Sequence, residues 1–261
     1  MRLCLVIILV LLNGSFTHSG QPKHSSKESS IEYITRPNSH ITIPVMIHFD
    51  RSLTDRLVKE HRIKTRKKLK DISRHILKEV EAYFRHPSLN QSIHFSLLDT
   101  KFLRKRLEMN ENGSEYLKNY CTRQGYKKKD SRRWWYSVLL TGLDLFYLDK
   151  NGKEVRSSTG RGYMGGVCAL EKSCTVLEWN PKNIGYLLTH ELGHSFGMMH
   201  DGPPHNACKP HRNIMSDKYH PRYHPKTWSR CSKRDLHLFL RSRKAWCLRK
   251  YAEYEKLSMG R

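Results

Sequence analysis

The residues able to do chemistry lie together in His190-Glu191-Leu192-Gly193-His194-Ser195-Phe196-Gly197-Met198-Met199-His200-Asp201. His190 and His194 are four apart, so on a helix they share one face and can grip one metal ion. Glu191 sits beside the first of them, where a carboxylate can hold a metal-bound water and accept its proton. Gly197 can adopt φ > 0 and end the helix, so that the chain doubles back and brings His200 to the same ion. Three protein ligands leave the fourth position open, the mark of a catalytic rather than a structural zinc site. With five positions fixed, a chance match in a chain of this length is on the order of one in ten thousand. The alternative, a helix carrying surface histidines and no metal, is correspondingly weak. Downstream, Asn213-Ile214-Met215-Ser216 supplies a methionine turn, with Met215 as a hydrophobic floor under the metal.

The positioning elements follow from the rest of the 261 residues, enough for one domain of about 200 residues with extensions. Residues 1–19 read as a secretory signal: Met1-Arg2, an apolar run Leu3–Leu12, then small and polar residues. That run is too short to span a membrane, and no other apolar run is long enough. Residues 20–39 read as a short disordered leader, 40–250 as the folded domain and 251–261 as a tail. Within the domain, Ile41–Phe49 alternates as a strand, and Ser52 or Thr54 can cap a single helix running to about Phe84. Ile93–Leu98 reads as a second strand and Glu115–Gln124 as a short helix. Lys127–Arg133 reads as a basic loop, Trp135–Thr141 as a buried strand, and Tyr163–Cys168 and Thr175–Trp179 as further strands. The metal-binding helix begins near Asn183, and a last helix covers about Ser232–Ser242. Strands alternating with helices give an α/β fold.

Forty-eight Lys and Arg against 24 acidic residues give a net charge of +24. A secretory signal argues against nucleic acid as the partner of that charge. Sulfated glycans, anionic cell surfaces or acidic proteins fit better, with Lys59, Arg62, Lys64, Arg66, Lys67, Lys68 and Lys70 as a basic stripe. A merely solvated face is the plainer reading of the same stripe. Asn90-Gln91-Ser92 and Asn112-Gly113-Ser114 are glycosylation acceptors by sequence. Cys4 departs with the signal, which leaves Cys121, Cys168, Cys174, Cys208, Cys231 and Cys247. An even number in an exported chain points to three disulfides, with 15 pairings open. His205, His211, His220 and His224 read as loop histidines.

These residues resemble the metzincin clan and, within it, the adamalysin (reprolysin) family, of which Asp201 directly after the third histidine is a mark. The resemblance spans roughly residues 40–249. Val138-Leu139-Leu140-Thr141-Gly142-Leu143-Asp144 looks like the family's central strand. Trp228-Ser229-Arg230-Cys231-Ser232 and Trp246-Cys247-Leu248 are closest to the subfamily that carries thrombospondin motifs. The resemblance implies a twisted five-stranded mixed sheet with helices above a smaller, loop-rich C-terminal subdomain, with zinc in the cleft between. It implies the disulfides Cys121–Cys174, Cys168–Cys247 and Cys208–Cys231, and a substrate-side edge strand at Gly165, Gly166 and Val167. It further implies a zinc endopeptidase acting on extracellular proteins; the chain is expected to be secreted and monomeric, and it departs from the family in lacking a long pro-domain and disintegrin or thrombospondin modules, for which venom and salivary enzymes are the analogy. The rival reading is a secreted glycan- or receptor-binding protein. A calcium site is not expected: Pro44 stands where the first strand usually has Glu, Lys250 stands near where Asn is usual, and only Asp144 fits.

Overall fold

The computed structural model describes residues 40–61, 66–103, 109–149, 151–156, 160–220 and 222–249. The stretches expected as signal, leader and tail, and Arg62, Lys64 and Lys250, therefore lie outside the described residues. The order is β1 (His40–Phe49), α1 (Arg51–His61), α2 (Arg66–Phe84), β2 (Ser92–Phe102), α3 (Gly113–Ser131) and β3 (Tyr136–Thr141). There follow β4 (Tyr147–Leu148), β5 (Glu154–Val155), β6 (Gly160–Gly162), β7 (Cys174–Glu178), α4 (Ile184–Ser195) and α5 (Arg230–Arg241).

Five strands form one mixed sheet in the order β2-β1-β3-β7-β6. The three junctions from β2 to β7 are parallel, and β6 runs antiparallel to β7 at the edge. Parallel strands buried on both faces read as near-continuous apolar runs. β3 obeys this, with all six residues buried. Ile41, Ile43, Val45, Ile47 and Phe49 supply the β1 share of the core at 2% exposure or less. Among the described helices, none is long and apolar enough to cross a membrane.

Several expected elements differ, each for a local reason. The first helical stretch is two helices, α1 and α2, and Asp50 caps α1 in place of Ser52 or Thr54. Asp50 Oδ1 accepts the Leu53 N–H at 2.8 Å, and its other oxygen accepts the Tyr116 hydroxyl at 2.9 Å, which ties α3 to the end of β1. The basic loop is instead the continuation of α3 to Ser131. Its buried stripe Tyr116, Leu117, Tyr120, Cys121, Gln124, Gly125, Lys128 keeps a helical spacing. Gln124 and Lys128 in that stripe are polar, and this hides its last turns from a hydrophobic reading. The expected strand Tyr163–Cys168 is a turn, with Gly165 at φ 62°, and the sheet edge lies one step earlier at β6.

Three disulfides pin the loops: Cys121–Cys174 joins α3 to β7, and Cys168–Cys247 joins the turn after β6 to the last described segment. Cys208–Cys231 joins the loop after the third histidine to the start of α5. These are the pairings the family resemblance implies.

Candidate metal centre and cleft

α4 carries His190, Glu191 and His194 and stops at Ser195. Gly197 at φ 83° turns the chain out of the helix, where an L side chain would be strained. The terminal carbonyls of α4 are satisfied by backbone N–H groups of the turn after β6: Gly165 donates to His194 O at 2.9 Å and Val167 to Ser195 O at 3.1 Å. That is the structural part played by Gly165, Gly166 and Val167. Gly165 and Val167 clamp the end of the helix, Gly166 closes a turn on Tyr163 O, and the sheet edge lies at β6 instead.

The returning chain brings His200 back over the helix. His200 Nε2 lies 3.2 Å from His190 Nε2 and 2.9 Å from His194 Nε2, and one ligand atom from each histidine falls within a common 4.8 Å. Nitrogens at about 2.05 Å from a tetrahedral zinc would be about 3.3 Å apart, so the cluster has the dimensions of a zinc cage. Tautomers agree. His190 Nδ1 donates to Ile214 O and His194 Nδ1 donates to Met198 O, each at 2.9 Å. Both Nε2 lone pairs therefore face the common centre, an arrangement that repels unless a cation lies between them. Burial lowers all three pKa values, that of His190 to about 4, so the imidazoles are neutral donors at physiological pH.

Glu191 is 9% exposed, and burial raises its carboxyl to about 7. The Arg161 guanidinium and the Gly162 N–H both oppose that rise. Gly162 has no room for a side chain without pressing on this group: a Cβ there would stand 3.3 Å from Glu191 Oε2 and from Glu191 O. β6 thus runs close along α4, and Tyr136 OH and Ser195 Oγ, 2.7 Å apart, fasten the helix to the sheet beneath.

Below the metal cluster Met215 is fully buried, and its Sδ packs against Gly193 so closely that a Cβ on Gly193 would lie 2.5 Å away. The Met215 carbonyl accepts the Asp201 N–H at 2.8 Å. Asp201 in turn accepts the Ser229 hydroxyl at 2.6 Å, while Ser229 Oγ caps α5 by accepting the Ser232 N–H. The third-histidine loop, the methionine turn and α5 are therefore one bonded unit. Sequence reasoning missed Asn206, which holds that loop from inside. Its Oδ1 accepts the N–H groups of Gly202 and Cys208, and its Nδ2 donates to His200 O at 2.8 Å. An asparagine among Gly and Pro is an ordinary turn signal, and no spacing rule connects it to the histidine.

The cluster opens into a cleft of about 810 Å³, walled on one side by Gly160, Arg161, Gly162 and Met164 and on the other by Ser216, Asp217, Lys218 and Tyr219. Arg161 was also missed. Its guanidinium lies 5.0 Å over the Tyr147 ring, a cation–π contact that holds it at the cleft wall. The three-histidine cluster includes none of the loop histidines: His205 lies with its ring 6.3 Å from that of His200, His211 faces Asp217 at 3.2 Å, and His224 packs between Tyr186 and Tyr219. Of the glycosylation acceptors, Asn90 is exposed, whereas Asn112 is half-buried and its Oδ1 caps α3. Asp144, the one residue fitting a calcium site, sits 3.3 Å from the Arg156 guanidinium.

A neutral three-histidine cage, a buried carboxyl beside it and an open cleft at a sheet edge define a metal-dependent peptidase of the metzincin fold. The chain belongs to the reprolysin (M12B) family of zinc metalloproteases, whose pattern it matches over residues 61–251. Relatives include "A disintegrin and metalloproteinase with thrombospondin motifs 16" of Mus musculus and of Homo sapiens, each 33% identical over 177 residues. That match takes in 66% of this chain and 14% of the relative. "A disintegrin and metalloproteinase with thrombospondin motifs 19" of Homo sapiens is 30% identical over 193 residues, 66% of this chain and 16% of the relative. The chain thus spans only a small part of the length of these proteins. Among solved structures, a chain in "Structure of a chaperone-substrate complex" matches with a TM-score of 0.53 at 10% identity, covering 79% of this chain and 39% of that one. It shares the fold alone.

Proposed function

We propose that the chain is a secreted zinc endopeptidase that cleaves extended segments of extracellular proteins, with His190, His194 and His200 as the metal ligands and Glu191 as the catalytic base. The observation that carries this reading is the convergence of three neutral Nε2 atoms beside Glu191 in an open cleft. Zinc bound there supplies a Lewis acid that polarises a peptide carbonyl and brings the pKa of a water to about 7. A carboxyl held near 7 is matched to taking a proton from the attacking water and passing it to the leaving amine. β6 closes the sheet on the cleft side, and its two glycines let a peptide backbone lie against it close to Glu191. The signal-like residues 1–19 and six cysteines all in disulfides support export. The net charge of +24 and the exposed Lys67 and Lys68 on α2 favour sulfated glycans or anionic surfaces as accessory partners.

The test is digestion of gelatin or fibrinogen by the secreted protein, with and without 1,10-phenanthroline, beside Glu191→Gln. Loss of a general base costs about 10²–10⁴ in rate. Both treatments should abolish cleavage while the variant still binds zinc. Undiminished cleavage by pure Glu191→Gln protein would end the assignment of that residue.

A further inference from the structure

A second cavity, of about 880 Å³, opens where the last turns of α3 meet β1, β2 and the Trp246–Cys247 segment. It shares no lining residue with the metal cleft. Its walls are apolar and largely aromatic: Met46, Leu98, Trp134, Trp135, Leu170 and Trp246. Leu98 and Trp246 are 47% and 43% exposed, so large apolar side chains face water at its mouth. The rim is cationic. Lys129, Arg132 and Arg133 are exposed there, and none has a carboxylate partner among the described residues.

Two buried nitrogen donors stand in the wall, and one of them lacks an acceptor. Lys128 is 1% exposed: its Nζ donates to Ser173 Oγ at 2.6 Å, Ser173 O at 2.9 Å and Leu170 O at 3.4 Å and lies 5.9 Å from the Trp135 ring centroid, and burial lowers its pKa to about 7. Trp135 is 8% exposed, and its indole N–H has no acceptor, whereas the neighbouring Trp134 donates to Val167 O at 2.9 Å. Buried donors ordinarily find partners.

We propose that this cavity binds a soluble anionic amphiphile, a compact aromatic or aliphatic body bearing one sulfonate, sulfate or carboxylate. The apolar body covers Leu98 and the indoles. The acidic group offsets the rim cations Lys129, Arg132 and Arg133 and offers the Trp135 indole the acceptor it lacks. The cavity's size falls within the range of small-molecule sites. A fully hydrophilic polyanion would leave the apolar walls wet, and a neutral apolar ligand would leave the charge unanswered.

The experiment uses the full secreted chain and two fluorescent probes: 8-anilinonaphthalene-1-sulfonate, and N-phenyl-1-naphthylamine, which has a similar aromatic body and no acid. The sulfonate should bind at one saturable site, about tenfold or more tighter than the neutral probe. Arg132→Glu with Arg133→Glu, and separately Trp246→Ser, should each weaken it by about tenfold, with peptide hydrolysis unchanged as the control for folding. Equal affinity for the two probes, or undiminished affinity in both variants, overturns the proposal. So does sulfonate binding that appears only after deletion of residues 250–261, which would make that segment the occupant. Binding to phosphatidylserine vesicles with none to the monomeric sulfonate overturns it in favour of a membrane.

Discussion

Gly193 lies inside α4, one residue before the second proposed metal ligand, and replacing it with alanine sets two effects against each other. In an ordinary helix interior Gly→Ala gains about 1 kcal/mol. Here the added Cβ would stand 2.5 Å from Met215 Sδ and 3.3 Å from Trp228 Cζ3, and both neighbours are buried, at 0% and 3% exposure. Overpacking of this kind costs about 1–3 kcal/mol, and the high end applies because Trp228 blocks the thioether's escape. The net is a loss of about 1–2 kcal/mol, or a fall in Tm of about 3–6 °C for a domain of this size. A second effect reaches the metal. Ile214 O, adjacent to Met215, orients His190 through its Nδ1, so a displaced turn should weaken zinc by about tenfold or more. Calorimetry and competition with a chromophoric chelator measure the two quantities. Met215→Ala in the same chain should make room, so that the paired variants cost less than the sum of the singles. A Gly193→Ala protein that melts higher and binds zinc as before would refute the packing argument.

Three further outcomes follow from the same geometry. Arg161 holds the Glu191 pKa down against burial, so Arg161→Gln should raise it; the base then stays protonated to higher pH, and the acid limb of the kcat/KM profile moves to alkaline pH. An unmoved limb would show that the two charges are not coupled. Asn206→Ala removes three hydrogen bonds to the His200 loop and should cost about 1–3 kcal/mol in a denaturant titration, with weaker zinc binding; a variant within error of the parent would remove Asn206 from the site's support. Cys168–Cys247 spans 79 residues and Cys208–Cys231 spans 23, so double serine replacement of the first should cost about 4–5 kcal/mol and of the second about 3. The reverse order of melting temperatures would count against a loop-entropy origin.

The convergence of the three histidines of the proposed metal site was legible because their spacing is local in sequence. Ligand spacing on a helix is fixed by the 3.6-residue turn, and a glycine is needed where the chain reverses, so His190, Glu191, His194, Gly197 and His200 declare themselves without tertiary information. The α/β order of elements was readable for the same reason, since buried parallel strands such as Tyr136–Thr141 are apolar runs. What fixes the site in space was not. Asp50 rather than Ser52 caps α1, because only the fold sets its second oxygen against Tyr116, 66 residues away. The edge strand lies at Gly160–Gly162 because β7 and α4 constrain both its sides, while Gly165 and Val167, equally glycine-rich in context, are taken by the free carbonyls of α4. α3 runs on through a tract of lysines because Lys128 finds Ser173 45 residues further along, a partner no periodicity can announce. Arg161 and Asn206 carry no motif at all, and each acquires its part only from what the chain folds beside it.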